Sequence, residues 1–231
     1  MNQHYTYFWV DFFCFIFPFA FSFHPAFRFY RQWRVFLPAN LITACFFISW
    51  DILYTHLGVW EFNPNYTLSP RFFNLPLEEV FFFVAIPYAC VFSYHCLTLY
   101  VQRSFDPRFW DSLSILLPVL LLVVAVLHFE KLYTSVTFTL LGLFIVFLKF
   151  RKVNYLYRFF ICFLFIFPFF MISNGILTGS FIDEPVVNYN DSLYLGVRLF
   201  TIPLEDVFYG MLLLLCNISL FELFISRRKR T

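Results

Sequence analysis

Pro76-Leu77-Glu78-Glu79-Val80-Phe81 and Pro203-Leu204-Glu205-Asp206-Val207-Phe208 stand 127 positions apart, and each opens an apolar run of membrane-spanning length, the first to about Val101 and the second to about Ile225. Proline suits a helix start, where its missing amide hydrogen would be unpaired anyway. Pro76 and Pro203 therefore mark helix starts, with Asn74 and Thr201 as candidate caps. Each helix then carries two adjacent carboxylates at the edge of the hydrocarbon. Acids there are costly to desolvate, and a single doublet is explicable as an anchor favoured by the helix dipole. Two doublets at equivalent positions point instead to chemistry or transport, because anchoring needs no repetition.

Working outward, a second pair of segments matches in the same order: Ile48-Ser49-Trp50-Asp51-Ile52-Leu53 and Ile172-Ser173-Asn174-Gly175-Ile176-Leu177, at an offset of 124. Further apolar runs cover about Tyr7 to Phe23, Val35 to Tyr54, Ser112 to Leu127, Tyr133 to Leu148 and Tyr155 to Leu177. Helices one to three then correspond to helices five to seven, and helix four restores parallel orientation. The predicted fold is an all-α polytopic membrane protein of about seven transmembrane helices, two parallel three-helix repeats joined by a connector. Its units are residues 1–104, 105–130 and 131–231. A pseudo-twofold axis along the membrane normal would bring both doublets toward one cavity.

Composition agrees. The chain is 61% hydrophobic and 13% charged, whereas about a quarter of residues are charged in an ordinary soluble domain. Its 39 Phe and 14 Tyr exceed what interfacial girdles require, so rings must also line helix contacts or a cavity. Of the 16 Lys and Arg, 13 fall in alternate connections or the C-terminal end, around Arg28 to Arg34, Arg103 to Arg108, Lys149 to Arg158 and Arg227 to Arg230. Only Arg71, Lys131 and Arg198 lie on the other side. The positive-inside rule then puts the N-terminus outside, the C-terminus in the cytoplasm and both doublets at the outer boundary of the cell membrane. The first apolar run lacks a basic lead and a small-residue cleavage site, so it is expected to be retained as a helix. The six cysteines show no metal or redox spacing and are expected as small core residues. No basic patch suggests nucleic acid.

The connection leading to the first doublet contains Gly58-Val59-Trp60-Glu61-Phe62-Asn63-Pro64, whose turn formers and large rings suit an interfacial lid. Neighbouring helical residues point about 100° apart, so one member of each doublet can face a cavity while the other faces a helix or the capping loop. Phe82 and Tyr209, four residues after Glu78 and Glu205, are expected on the face of those first acids. Converging acids would retain at least one proton between them, which is what a proton donor requires. Aromatic faces attract a carbocation without trapping it, and Trp60, Phe81, Phe82, Phe208 and Tyr209 lie nearest the doublets. Asp51 and Asn174 sit in the repeated Ile-Ser segments, either to orient a doublet or to make an interhelical hydrogen bond.

Several classes are disfavoured by missing motifs. There is no glycine-rich dinucleotide or nucleotide loop, no lysine in the last helix for a retinal Schiff base, and no spaced aspartates for a magnesium diphosphate. His56 and His128 have no second ligand at metal spacing.

The two Pro-Leu-Glu-Glu/Asp motifs, the Gly58 to Pro64 segment and the tandem three-helix plan resemble the heterodimer-type lycopene cyclases of carotenoid synthesis, here as a fused chain. The resemblance implies ring closure of lycopene to γ- and β-carotene without net redox change and without a cofactor. It implies Glu78, Glu79, Glu205 and Asp206 as catalytic acids, and a membrane setting shared with other carotenoid enzymes. A transporter with the same helix plan would need a polar path at mid-membrane, where this sequence is Phe, Leu, Ile and Val. A non-catalytic scaffold for carotenoid enzymes would tolerate loss of the doublets.

Overall fold

The computed structural model describes residues 3–100 and 107–228. Arg103, Lys229, Arg230 and the expected end of helix three at Val101 lie outside them. Seven α-helices dominate the described residues: α1 (Thr6–Phe21), α2 (Trp33–His56), α3 (Leu77–Tyr100), α4 (Pro107–Leu127), α5 (Leu132–Phe150), α6 (Leu156–Leu177) and α7 (Leu204–Arg228). Among the described residues, α2 to α7 are long and apolar enough to cross a membrane. α1 is shorter, 16 residues with Asp11 among them, and reaches about 24 Å against about 30 Å of hydrocarbon. The chain is an all-α polytopic membrane protein.

The repeat shows in the packing. α1 lies on α3 as α5 lies on α7, and α2 lies on α7 as α6 lies on α3, so the halves interlock rather than sit side by side. The connector α4 runs along α5. Gly142 permits that approach, since a Cβ there would come within 2.9 Å of Leu122 Cγ.

At the doublet end the described residues form six short strands: β1 (Trp60–Phe62), β2 (Arg71–Phe72), β3 (Leu75–Pro76), β4 (Val187–Tyr189), β5 (Arg198–Leu199) and β6 (Ile202–Pro203). β2–β3 and β5–β6 are antiparallel hairpins in equivalent positions, pairing Arg71 with Pro76 and Arg198 with Pro203. Their turns put Phe73 and Phe200 at φ 56° and 57°, a left-handed conformation costing a non-glycine residue roughly 1–2 kcal/mol. In both, the arginine guanidinium clamps the turn by donating to the carbonyl of Asn74 (3.1 Å) or Thr201 (2.7 Å).

This geometry corrects two expectations. Pro76 and Pro203 close a hairpin strand, and each helix begins one residue later. Asn74 and Thr201 do not cap, because the hairpin turns their side chains toward the ends of α2 and α6. Asn74 Nδ2 donates to the Ile52 carbonyl (2.9 Å), and Thr201 Oγ1 meets the hydroxyls of Thr178 and Ser180 (2.8 and 2.7 Å). The cysteines fit the core reading in part: all six are free, Cys162 is buried and Cys14, Cys90 and Cys216 pack against the core, while Cys45 is exposed.

Pro87, inside α3, cannot donate to the Phe83 carbonyl one turn earlier. Asn40 of α2 replaces the missing donor, with Nδ2 at 3.0 Å from that oxygen and 3.3 Å from Asn217 Oδ1 of α7. Replacing Asn40 by Leu orphans the carbonyl within the bilayer and is expected to lower stability by about 1–2 kcal/mol. Denaturation of detergent-solubilised protein measures it; an unchanged midpoint would mean that the carbonyl finds another donor.

Candidate active site

A cavity of about 550 Å³ lies among α1, α3, α6 and α7, beneath a ribbon in which β1 of the first half pairs antiparallel with β4 of the second. The expected lid segment supplies β1, and both Trp60 and Phe62 face the cavity. Glu79, Asp206, Asp51, Asn174, Phe82 and Tyr209 line it as well. Glu78, Glu205, Phe81 and Phe208 do not. Phe81 packs edge-on against Phe15 (5.7 Å between centroids) and Phe208 against Phe138 (4.9 Å).

The doublets divide the same way in both halves. The first acid turns back to its own loop: Glu78 Oε1 accepts the Leu68 amide (2.6 Å), and Glu205 Oε1 accepts the Leu195 amide (2.8 Å) and the Thr134 hydroxyl (2.5 Å). The second acid meets the cavity, each held by a tyrosine from the helix that packs on it. Tyr7 donates to Glu79 Oε2 (2.5 Å) and Tyr133 to Asp206 Oδ1 (2.7 Å). Phe82 and Tyr209 thus share the cavity with Glu79 and Asp206, three residues earlier, rather than with Glu78 and Glu205.

Around these acids the halves differ. Asp206 Oδ2 also accepts from Asn174 Nδ2 (2.9 Å) and the Tyr189 phenol (2.7 Å), giving that carboxylate three donors. Burial, with the Asp206 carboxylate beside it, pushes the Tyr189 phenol well above its usual range, so it stays a donor. Glu79 instead shares the cavity lining with Asp51, whose Oδ1 accepts from Tyr209 (3.0 Å). Two carboxyls lining one apolar cavity repel when both are ionised, which favours keeping a proton on one of them.

The surrounding wall is aromatic. Trp60 stands edge-on to Tyr133, Tyr189 and Tyr209 at 5.1–6.2 Å, and no Lys, Arg or His is among the residues lining the cavity. Such a box stabilises positive charge at ring faces and offers no basic nitrogen to capture it.

Sequence reasoning missed Tyr7, Tyr133, Tyr189 and Asp11. The tyrosines at 7 and 133 were discoverable, since their spacing of 126 nearly equals that of the doublets. Tyr189 had no such signal, because its place depends on the β1–β4 pairing. Asp11 stood out as an acid inside an apolar run. It is fully buried one turn beyond Tyr7, and neither of its oxygens has a hydrogen-bond partner among the described residues.

Glu205→Ala would leave the Leu195 amide and the Thr134 hydroxyl without their acceptor, an expected loss of about 1–3 kcal/mol. Membrane abundance should fall more than turnover per molecule. The reverse pattern, full abundance with lost turnover, would place Glu205 in the chemistry.

A family model described as Lycopene cyclase matches residues 4–97 and 130–224, one match in each half. No curated protein and no solved structure matches the chain.

Proposed function

Since the chain belongs to the lycopene cyclase family as a two-unit member, we propose that it closes the end groups of lycopene to β rings, giving γ- and then β-carotene. The observation that carries this reading is the unequal pair of acids facing one apolar, ring-lined cavity.

The Glu79 carboxyl, backed by Asp51 and oriented by Tyr7, gives its proton to the terminal double bond of the polyene, leaving a tertiary cation. The neighbouring double bond attacks that cation, forming the ring bond and moving the charge to a ring carbon. Asp206, oriented by Tyr133, Asn174 and Tyr189, removes a proton from the adjacent carbon, and the ring double bond forms. One proton enters and one leaves, so substrate and product are isomers. Trp60, Tyr209 and Phe82 hold the cation at their faces, and the β1–β4 ribbon keeps water from capturing it. Glu78 and Glu205 anchor the loops beneath that ribbon.

The basic residues favour a cell-membrane protein with its N-terminus outside, its C-terminus in the cytoplasm and the acids near the outer surface. Residues 1–104 and 131–231 would then be the two cyclase units, with 105–130 as connector, working beside other carotenoid enzymes in the same bilayer. The test is lycopene turnover by the purified chain in liposomes made with deuterated water and no added redox partner. The cyclic product should be isomeric with lycopene apart from one solvent deuterium per ring. A product with a different hydrogen count would refute an acid-initiated isomerisation.

A further inference from the structure

Ring closure as described above uses Glu79 and Asp206 but not Asp11, an acid held at full burial inside α1. Both Asp11 oxygens lack a hydrogen-bond partner among the described residues, and a packing role recovers none of that cost. Its place follows from its neighbours one turn away on either side. Tyr7 donates to Glu79 Oε2 (2.5 Å), and Phe15 packs edge-on against Phe81 (5.7 Å between centroids). Asp11 therefore stands on the α1 face that meets the first turn of α3. Helical side chains lean toward the N-terminal end of their helix, which for Asp11 is the doublet end. In that turn Glu78 Oε2 is also buried without a partner, while Oε1 is tied to the Leu68 amide (2.6 Å). Three unpartnered carboxyl oxygens at one helix junction suit an internal water, which makes about three hydrogen bonds.

The second half repeats the junction without the acid. Thr137 stands 126 positions after Asp11, as Tyr133 does after Tyr7. Its buried hydroxyl is unpartnered, and so is Glu205 Oε2. A threonine holds water but cannot store a proton as a carboxyl does. The extra acid is thus confined to the half whose doublet gives up a proton.

We propose that Asp11 reloads Glu79 after each ring closure, passing it a proton drawn through Glu78 from the water over the doublet-end loops. The proposal rests on the cyclase reading above. Once Glu79 has protonated the polyene, the Tyr7 hydroxyl gives its proton to the Glu79 carboxylate and takes one from Asp11 by way of the internal water. Asp11 regains a proton from Glu78, and Glu78 from bulk water. Asp206 releases to bulk water the proton it removed from the ring, so each cycle admits one proton and returns one. Glu78 keeps its loop anchored through Oε1 and conducts through Oε2.

The test compares the first ring formed on lycopene in single and multiple turnovers, using the parent chain, Asp11→Asn and Asp11→Glu in liposomes at matched protein. With enzyme in excess Glu79 needs no reloading, and Asp11→Asn should match the parent within about threefold. With lycopene in excess its rate should fall by roughly 10- to 100-fold, up to the lower end of what a positioned acid–base group contributes. Deuterated water should slow that second regime further. Asp11→Glu, which restores the carboxyl, should recover most of the multiple-turnover rate. Equal losses in both regimes, or parental rates in both, would overturn the proposal. Should Asp11→Asn not accumulate, Glu78→Gln, which keeps an oxygen for the Leu68 amide, is held to the same expectations. A parent that forms no ring even in a single turnover would refute the function itself, a separate result.

Discussion

Glu79→Gln is expected to lower ring formation by roughly 100- to 10,000-fold, the range associated with losing a positioned general acid, while the protein remains at parental abundance. The substitution keeps the size of the side chain and an oxygen for the Tyr7 hydroxyl, which sits 2.5 Å from Glu79 Oε2. What it removes is the proton. Asp51 cannot fully replace it: its Oδ1 is bound to Tyr209 at 3.0 Å, and it reaches the substrate space from α2 rather than from the first turn of α3. Parental rates at equal abundance would take Glu79 out of the chemistry.

Asp206→Asn should cost about as much, again roughly 100- to 10,000-fold, with a different signature. Protonation by Glu79 is intact in this variant, so the cation still forms and must discharge elsewhere. The small residual product is expected to include other double-bond isomers or hydrated end groups, resolvable by chromatography and mass. Glu79→Gln should leave unreacted lycopene alone. Asparagine in place of Asp206 also turns an amide donor toward Tyr133, Asn174 and Tyr189, three groups that donate to the carboxylate, so a modest loss of stability accompanies the loss of turnover. Identical product spectra from the two variants would contradict the separation of donor from base.

Much of this architecture was legible in the sequence because bilayers constrain it strongly. Helix spans follow from length and hydropathy, and the 127-residue repeat between doublets predicts their convergence. The acids at 79 and 206 are found by that repeat. Their division of labour with Glu78 and Glu205 is not, since it depends on loop amides at Leu68 and Leu195 that fold back only once the hairpins form. The hairpins themselves are hard to foresee: Phe73 and Phe200 adopt a left-handed turn without glycine, against local preference. Phe81 and Phe208 lie beside the acids in sequence but point away from the cavity, because only the face carrying residues 79, 82 and 86, or 206, 209 and 213, meets it. Tyr189 and Trp60 meet there only through pairing between halves, which no single-segment reading contains.

The most direct measurement is the pigment profile of a lycopene-accumulating cell expressing this chain, alongside Glu79→Gln and Asp206→Asn at matched membrane levels. The parent should convert lycopene to monocyclic and then bicyclic carotenes, and both variants should leave lycopene largely uncyclised. Unchanged lycopene in cells with abundant parent protein, or full conversion by both variants, would contradict a cyclase whose chemistry resides in these two acids.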